Sequence, residues 1–469
     1  MEPEDPELPT PQRAGLSREE AQSLTAKILS LSRADQVRLN IRSGWRGFTR
    51  YAENRITSSG GSADVRVSIT SVFGRRVASL TTNLVDDDAA VQAAVRHSEE
   101  LARLAPEDPE HLDELGEQEY VEVEGYADSM GELSSQARVE AAVTAIRAAE
   151  EAGTNGVGHA AAGYVAAGYI DAHAGAQTIA TSNGLFSHYA STGVASTLTV
   201  RGRDGSSSGW AGGEATDFAQ IDSSRIAEEA VAKCLSGRHM QVLEPGAYRV
   251  ILEPAALGML MLRFMGSLDA RTADEGRSFF AAQGGNRIGE ALFDRRVTLR
   301  SDPRSRGAET SPFDVDGQPR RAETWVQEGV LERLSSSRFW AGRQGVDAIP
   351  MPANLIMSGG DSTIEEMISA TERGVLITRF WYVRPLNPRT LSYTGLTRDG
   401  TFLIENGRIQ GPIKNFRFNQ SLAELLRNIE MLGEPVRVAA GENSSVGAPI
   451  VVPPARVRQF NLASISDAI

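Results

Sequence analysis

The sequence predicts an α+β fold, with an N-terminal antiparallel sheet that carries helices on one face and a strand-rich, barrel-like C-terminal domain. Two observations support this prediction. In the first half of the chain, helical and strand periodicities form separate blocks rather than a regular alternation of strands and helices. In the second half, many short apolar runs are separated by turn dipeptides, which is typical of a barrel or a strongly curved sheet. We therefore divide the 469 residues into a disordered tail (1–15), an N-terminal α+β domain (16–240) and a C-terminal β-rich domain (241–469).

The first block opens with a capping box. Ser17 precedes Glu20 by three residues, so each side chain can bond the other's backbone N–H at the start of a helix that extends to about Ser32. A second helix is predicted over residues 86–104, where apolar residues recur with helical spacing. Four strands are predicted between the two helices, at residues 36–41, 47–56, 63–70 and 75–81, with a turn near Phe73-Gly74.

Further blocks of predicted helix and strand follow, up to residue 240. Helices are predicted over 135–152 and 223–235, and strands over 160–170, 176–182 and 185–200. Asn183-Gly184 supplies a hairpin turn, because both residues tolerate positive φ values. Residues 202–213 are rich in Gly and Ser but lack the Lys-Ser/Thr of a P-loop. They are interpreted as a mobile loop or as a strand with close backbone approach.

The C-terminal domain is predicted from short runs and turn dipeptides. A strand over 248–252 leads into a helix over 254–266, and Ser362 is predicted to cap another helix through Glu365. A helix is also expected over 422–431, and a strand over 449–460 that Pro453-Pro454 interrupts. The predicted turns lie at Asp316-Gly317, Glu328-Gly329, Asp399-Gly400 and Asn406-Gly407.

Composition limits the classes of function. The formal net charge of −13 disfavours nucleic acid as a partner, because such binding needs clustered Lys and Arg. Apolar runs are too short to span a bilayer, so no membrane association is expected. The acidic, Pro-rich start has no signal-peptide pattern, and a single Cys fits a reducing compartment, so a cytoplasmic location is expected.

Four segments, in order, resemble one known family: residues 50–54, 181–185, 311–331 and 378–418. The last contains the Asn406-Gly407 hairpin and is the most informative. Together they resemble the TldD/PmbA proteins, in which a TldD subunit carries a metallopeptidase site and a TldE subunit pairs with it. The resemblance implies a two-domain α+β protein that forms a cytoplasmic dimer, and a chamber that admits unfolded peptides.

The TldD branch is expected to carry HExxxH on the helix that corresponds to residues 254–266. The two His of that motif would share one zinc ion, with the Glu as general base. Here that helix contains no His, Glu or Cys, and Met259, Met261, Leu262 and Met265 occupy the positions expected for ligands. The only Cys, Cys234, lies far upstream of the C-terminal Cys of that branch. The resemblance therefore implies no catalytic residue, no metal ligand and no cofactor in this chain, with zinc in the partner subunit.

Two other places hold chemistry-bearing residues. Asp171-Ala-His173 could place two ligands on one strand face, although such a pair is common by chance. A cluster after the helix is the predicted substrate- or partner-contact site. The alternative is a charged loop in which the acids pair with the arginines. The cluster consists of Asp269, Arg271, Asp274, Glu275 and Arg277.

The sequence thus favours a non-catalytic, TldE-like subunit that pairs with an HExxxH-bearing TldD-like subunit, completes the proteolytic chamber and holds extended peptide. Two alternatives stay open. One is a self-sufficient peptide hydrolase or maturation enzyme with a site that the sequence does not reveal. The other is a homodimeric peptide-binding protein with no catalytic partner.

Overall fold

The structure is a computed structural model that describes residues 15–155, 163–236, 240–441 and 446–466. Residues 1–14 of the predicted tail lie outside the described residues. Within the described residues, no helix combines the length and the apolar character needed to cross a membrane.

Six long strands form the N-terminal sheet, and every neighbouring pair is antiparallel. Their order is β3-β2-β1-β4-β5-β6. The strands are β1 (Gln36–Ala52), β2 (Arg55–Phe73), β3 (Arg76–Thr82), β4 (Tyr164–Thr181), β5 (Phe186–Gly202) and β6 (Ser208–Ala215).

Several strands are longer than the sequence predicts. The expected break between 41 and 47 is wrong, because β1 continues through Gly44, where a Cβ would lie 2.3 Å from the carbonyl oxygen of Ala174. Glycine here permits close approach of two strands rather than a turn. The turn instead lies at Glu53 and Asn54, with φ of 52° and 58°, inside the strand predicted over 47–56. The predicted strands 160–170 and 176–182 are likewise one strand, β4, although residues 160–162 lie outside the described residues.

The helices of this half cover one face of the sheet, as predicted. They are α1 (Arg18–Leu31), α2 (Asp88–Leu104), α3 (Asp128–Gly131), α4 (Ser135–Asn155) and α5 (Ser223–Leu235). The capping box at α1 is confirmed, since Glu20 N–H donates to Ser17 Oγ (3.2 Å) and Ser17 N–H donates to Glu20 Oε2 (2.8 Å). Helices α1 and α2 pack near Leu39 and Ile69, and α4 and α5 pack near Ala172 and Val194. Because side chains alternate along a strand, the intervening residues point to the opposite side, here called the helix-free face.

The Gly- and Ser-rich stretch 202–213 is half turn and half strand. Its second part is β6, where a Cβ on Gly209 would lie 2.3 Å from the carbonyl oxygen of Ala230 on α5. The interpretation as a strand with close backbone approach is therefore confirmed for this part. The asparagine–glycine turn after β4 is also confirmed, with Gly184 at φ 94°.

The C-terminal half contains a closed, barrel-like sheet and a second, open sheet. The closed path is β14-β7-β21-β17-β15, completed by pairing of β14 with β15. Its strands and their two neighbours are β7 (Gly246–Leu252), β14 (Arg373–Asn387), β15 (Ser392–Glu405), β16 (Arg408–Pro412), β17 (Phe416–Ser421), β18 (Ile429–Leu432) and β21 (Ala455–Ile465).

The open sheet has the order β12-β11-β10-β13-β20-β19, and β8 pairs with β9 alone. These strands are β8 (Ala281–Ala282), β9 (Gly285–Asn286), β10 (Leu299–Ser301), β11 (Glu323–Gln327), β12 (Val330–Leu331), β13 (Leu355–Met357), β19 (Val436–Val438) and β20 (Ile450–Val452). The helices of this half are α6 (Pro254–Met265), α7 (Ala270–Asp274), α8 (Arg338–Gln344), α9 (Ile364–Ser369) and α10 (Leu422–Arg427). One large hydrophobic core joins both sheets around α6.

Three local predictions for this half are wrong. Asp399-Gly400 is not a chain reversal but a pair of positive-φ residues inside β15, opposite a register shift in β14. The cap of α9 is Thr363, which forms its capping box with Glu366, rather than Ser362. Helix α10 ends at Arg427, because the following residues pair with β21 as strand β18.

Other predicted features of this half are confirmed. Asn406-Gly407 joins β15 to β16 with φ of 51° and 73°. Glycine-containing turns occur at Gly317 and Gly329, both with positive φ. The prolines 453 and 454 separate β20 from β21.

The two halves meet at the helix-free face of the N-terminal sheet. Phe313 of the C-terminal half packs with Ile179, Leu185 and Tyr189. The hydroxyl of Tyr120 donates to the carbonyl oxygen of Gly317 at 2.7 Å. The C-terminal half therefore covers part of the helix-free face, mainly at β4 and β5, and polar groups there are held away from water.

Candidate functional site

Helix α6 begins directly after strand β7 and runs through the C-terminal core. Pro254 occupies its first turn, where the missing N–H costs nothing. Met259, Met261 and Met265 are all buried, packed with Phe264 in the core between the two C-terminal sheets. The positions expected for metal ligands are therefore filled by apolar side chains that stabilise the fold.

The predicted contact cluster follows α6 on α7 and the loop after it. Asp269 caps α7 by accepting a hydrogen bond from Thr272 N–H at 2.7 Å. Arg271 makes two hydrogen bonds to Glu110 of the N-terminal half, at 2.7 and 2.8 Å, and one to Glu275 at 3.0 Å. Arg277 also donates to Glu275, at 2.8 Å from Nε. These pairs agree with the alternative of a charged loop, while substrate or partner contact stays a prediction.

The charges in this cluster stabilise each other. The hydrogen bonds from Arg271 hold the pKa of Glu110 below its usual value. The pKa of Glu275 is lowered first by Arg271 and then by Arg277. The pKa of Arg271 is raised by the same contacts, first by Glu110. These three groups stay ionised at neutral pH, and the hydrogen bonds from Arg271 to Glu110 link α7 to the N-terminal half.

Asp274 lies apart from these ion pairs, at a cleft of about 510 Å³ that includes Asn286 and Trp340. The indole N–H of Trp340 donates to Asp274 Oδ2 at 2.7 Å, and Asn286 donates to Oδ1 at 2.7 Å. Both carboxylate oxygens are thus held in place at the edge of a pocket with a mixed polar and apolar lining. Of the five predicted residues, Asp274 is the one that the fold places at a cavity large enough for a small ligand.

Asp171 and His173 share a strand face, as predicted, but Asp171 is already engaged. Its carboxylate accepts two hydrogen bonds from Arg46, at 2.8 and 3.1 Å, and one from the N–H of Val446 at 3.0 Å. Burial lowers the pKa of His173, which keeps its ring neutral at physiological pH. This geometry favours a structural ion pair over a metal site.

Sequence reasoning missed two groups on the helix-free face. Glu214 and Arg437 form a buried ion pair at 2.9 Å, and burial raises the pKa of Glu214 to about 7. A cleft of about 430 Å³, here called the arginine–tryptophan cleft, lies between this face and strands β14 and β15. Its lining includes Arg50, Arg201, Trp210, Arg379, Trp381 and Arg398. The residues of both groups are far apart in sequence, so no local spacing could have revealed them.

Two comparisons with family patterns cover most of the chain. Residues 127–237 match the central domain of the PmbA/TldA metallopeptidases, and residues 245–464 match their C-terminal domain. The chain belongs to the TldD/PmbA family. The resemblance seen in the sequence is thereby confirmed.

Individual relatives are distant. A metalloprotease TldD homolog of Buchnera aphidicola subsp. Acyrthosiphon pisum is 25% identical over 266 residues, which cover 51% of this chain and 53% of that protein. A metalloprotease of Methanothermobacter thermautotrophicus is 25% identical over 226 residues, covering 44% of this chain and 47% of that protein. The chain thus spans about half the length of the curated relatives it matches.

The solved structures cover more of the chain. The crystal structure of TldE from Thermococcus kodakarensis has a TM-score of 0.80 at 18% identity and covers 94% of this chain and 99% of its own. At this identity the similarity shows the fold alone. It agrees with the predicted α+β class and with the barrel-like C-terminal half.

A TldD/PmbA metallopeptidase implies a metal ion, and α6 does not fit one. Its side chains in the core include thioethers but no imidazole, carboxylate or thiolate, the donors that zinc prefers. Elsewhere in the described ranges, no group of three or more His, Cys, Asp or Glu residues lies close enough to hold a metal. We therefore assign no reaction step to a metal in this chain.

Proposed function

We propose that this chain is a non-catalytic, TldE-like subunit that pairs with an HExxxH-bearing TldD-type subunit in the cytoplasm. The observation that carries the proposal is the state of α6. This is the helix on which the TldD branch is expected to carry its HExxxH motif. Here Met259, Met261 and Met265 are packed into the hydrophobic core and provide no group that holds zinc or moves a proton. The partner would supply the metal, which would provide an activated water for peptide hydrolysis.

The proposed role of this chain is to complete the chamber wall and to hold peptide in an extended conformation. Strand β2 supports this role, because β3 pairs only with residues 67–73 of β2. Among the described residues, no strand pairs with the outer edge of residues 55–66, which leaves backbone N–H and C=O groups open there. An extended peptide can add to such an edge through main-chain hydrogen bonds, independently of its sequence.

The test compares the chain alone with the chain purified together with an HExxxH-bearing relative. We expect the single chain to hold no stoichiometric zinc and to leave an unfolded peptide intact, and the pair to hold zinc and to cleave it. A control pair carries Gln in place of the Glu of the partner's HExxxH motif, and we expect it to assemble without cleaving.

Other outcomes would contradict the proposal. Cleavage by the single chain would favour the self-sufficient hydrolase. A chain that binds peptide as a homodimer and forms no complex with the relative would favour the homodimeric peptide-binding protein.

A further inference from the structure

The carboxylate of Asp274 lies at the cleft of about 510 Å³ described above, here called the Asp274 cleft, whose volume is within the range of small-ligand sites. Part of its wall is apolar, and two of these side chains stay well exposed, Ile288 at 47% and Val346 at 59%. The apolar part of the lining consists of Ala270, Ile288, Leu334, Trp340, Val346 and Ile349. The cleft can therefore shield an apolar chain from water.

Backbone contacts hold the walls of this cleft together. The N–H of Ala270, at the start of α7, donates to the carbonyl oxygen of Ser335 at 2.8 Å. The next residue, Ser336, exchanges backbone hydrogen bonds with Ile349, at 2.8 and 3.0 Å. Helix α8 lies between these two residues in sequence and carries Trp340. The cleft is thus formed by the fold itself, which reduces the ordering cost of binding.

Negative charge dominates the lining. Asp274, Glu332 and Asp347 contribute carboxylates, and Arg333 is the one cationic residue among the described residues that line the cleft. Arg333 Nη1 is already 3.1 Å from Glu323, which lies outside the lining. No cation in the described part of the chain pairs with Glu332 or Asp347. Three carboxylates therefore face one guanidinium that has a partner of its own.

Two further arginines lie nearby without changing this balance. Arg271 and Arg343 lie over the ring of Trp340, at 5.3 and 5.5 Å from its centre, and neither belongs to the lining. Arg271 is paired with Glu110 and Glu275, and Arg343 also helps to keep Glu110 ionised. The positive charge beside the cleft is thus matched by other carboxylates, and the lining stays acidic.

The hydrogen bonds of Asp274 orient its carboxylate without neutralising it. Its two donors, the indole N–H of Trp340 and the amide of Asn286, are uncharged and each lies 2.7 Å away. Each carboxylate oxygen has a further lone pair. A cation that enters the cleft meets a carboxylate already held in place, and a charge-assisted hydrogen bond to it is stronger than one between neutral groups.

Ser336 supplies a second, independent observation that points to a ligand. The residue lines the cleft and is only 5% exposed, and its hydroxyl makes no hydrogen bond to any described residue. The hydroxyl of the preceding Ser335, by contrast, donates to the carbonyl oxygen of Leu268. A buried polar atom without a partner is unfavourable and rare, and an N–H of a ligand would satisfy this oxygen.

We infer that the Asp274 cleft binds an ammonium group of a peptide, together with the apolar chain next to it. This inference rests on the proposed function, because it takes the occupant to be a peptide. The ammonium belongs either to a lysine side chain or to the N-terminus, and its chemistry is the same in both cases. A metal ion fits less well, because among the described residues no group of three or more His, Cys, Asp or Glu lies close enough to hold one.

The first experiment titrates four peptides into the unmodified chain by calorimetry. N-acetyl-Ala-Lys-Ala amide carries its ammonium on a side chain, and its neutral counterpart has norleucine in place of lysine. Leu-Ala-Ala amide carries its ammonium at the N-terminus, and its neutral counterpart is N-acetylated. We expect an ammonium peptide to bind at least about ten-fold more tightly than its counterpart, since a hydrogen bond to a charged group contributes that much. The peptide that shows this gain identifies the source of the ammonium.

Variants then locate the binding to this cleft. Ser336→Ala removes a hydroxyl that bonds no described residue, so the fold should stay intact while binding weakens about five-fold. Asp274→Asn removes the charge and should weaken binding about ten-fold. Asp361→Asn, at an exposed aspartate outside the cleft, is the matched control and should bind like the parent chain. Thermal unfolding checks each variant, and Ser336→Ala decides alone if Asp274→Asn does not fold.

Equal binding of the ammonium peptides and their neutral counterparts, or no binding of any peptide, would overturn the inference. Parent-like binding in either cleft variant that folds, or equal weakening in Asp361→Asn, would also overturn it. The proposed function survives these results, because it is tested by zinc content and cleavage in the pair. Conversely, a pair that does not cleave, together with ammonium binding that Ser336→Ala weakens, would contradict the subunit proposal and leave the cleft assignment standing.

Discussion

Helix α6 and the arginine–tryptophan cleft differ in what they place inside the protein. Helix α6 buries apolar side chains from nearly every turn and holds no group that titrates near neutral pH in the core. The cleft instead brings four arginines, two tryptophans and a buried aspartate together between two sheets. The helix is where the family resemblance would place catalysis, whereas the cleft is where this chain gathers charged and aromatic side chains.

This difference shows that apolar packing and buried polar groups are placed in separate parts of the fold. A buried methionine or phenylalanine contributes through packing and transfer from water, which needs no partner of defined geometry. A buried arginine or aspartate is tolerated only when its hydrogen bonds and charge are satisfied. Substitutions in α6 should therefore change stability through packing, while substitutions in the cleft should change it through hydrogen bonds and charge.

The largest effect is expected in α6. Phe264→Ala removes a fully buried ring that packs edge-on against Phe280 and Phe293, and should lower the free energy of unfolding by about 3–5 kcal/mol. Chemical denaturation measures this loss. Leu104→Ala, at an exposed position, is the control and should change stability by less than about 0.5 kcal/mol. A small loss at Phe264 would mean that α6 is not part of the core.

The next effect is pH-dependent and tests the helix-free face. Burial raises the pKa of Glu214 to about 7, so the folded protein keeps a proton that the unfolded chain loses above its ordinary value near 4.5. As pH rises between these values, this group lowers the free energy of unfolding by up to about 1.4 kcal/mol per pH unit. The contribution is complete below 4.5 and lost above about 7.

Glu214→Gln cannot titrate, so this decline should be absent from its stability profile. His173 titrates in the same window, and burial lowers its pKa, which makes stability fall as pH decreases below its ordinary value. Because His173 is present in both proteins, the difference between parent and variant isolates Glu214. Parallel profiles from pH 4.5 to 7 would show that Glu214 is ionised in the folded state.

A smaller effect is expected at the buried acid of the arginine–tryptophan cleft. Asp399→Asn preserves shape and tolerates the positive φ of 52° at this position, but it removes the charge that Arg201 and Arg398 contact. Stability should fall by about 1–3 kcal/mol. Asp64→Asn, at an exposed pair with Arg66, is the control and should change stability by less than about 1 kcal/mol. A gain of stability in Asp399→Asn would show that the fold does not need this carboxylate to offset repulsion among the arginines.

The smallest effect is expected in the predicted contact cluster. Arg271→Gln breaks the pairs with Glu110 and Glu275, which are solvent-exposed, so the loss should stay below about 1 kcal/mol and decrease with added salt. Calorimetric titration of an unfolded peptide, first into the single chain and then into the pair, tests directly whether the cluster contacts the peptide. Unchanged peptide binding and unchanged pairing would reduce this cluster to a structural clamp.

Local chemistry made parts of the fold predictable. Ser17 and Glu20 specify the start of α1, and Asn406-Gly407 specifies a hairpin, because each needs only neighbours in sequence. Prediction from local chemistry failed where two neighbouring residues could both cap a helix, or where the backbone of a distant strand determines the local structure. Ser362 and Thr363 can both cap a helix, and Gly44 allows a strand crossing that looks like a break until β4 is placed against it.

Only part of the candidate site could be predicted from the sequence. The lack of metal ligands in α6 is visible in its sequence, and the burial of its methionines follows from their chemistry. The predicted cluster after α6 was found as a set of charges, but its partner Glu110 lies 161 positions from Arg271 and could not be inferred from spacing.

By itself, the sequence determined the α+β class, the family, the capped start of α1, the asparagine–glycine turns and the apolar nature of α6. These features depend on periodicity and on interactions between near neighbours. The tertiary structure alone decided the pairing of Glu214 with Arg437, the pairing of Arg271 with Glu110, and the arginine–tryptophan cleft. Each depends on long-range packing, which for the cleft means strand register and contact between two sheets, and brings together side chains far apart in sequence.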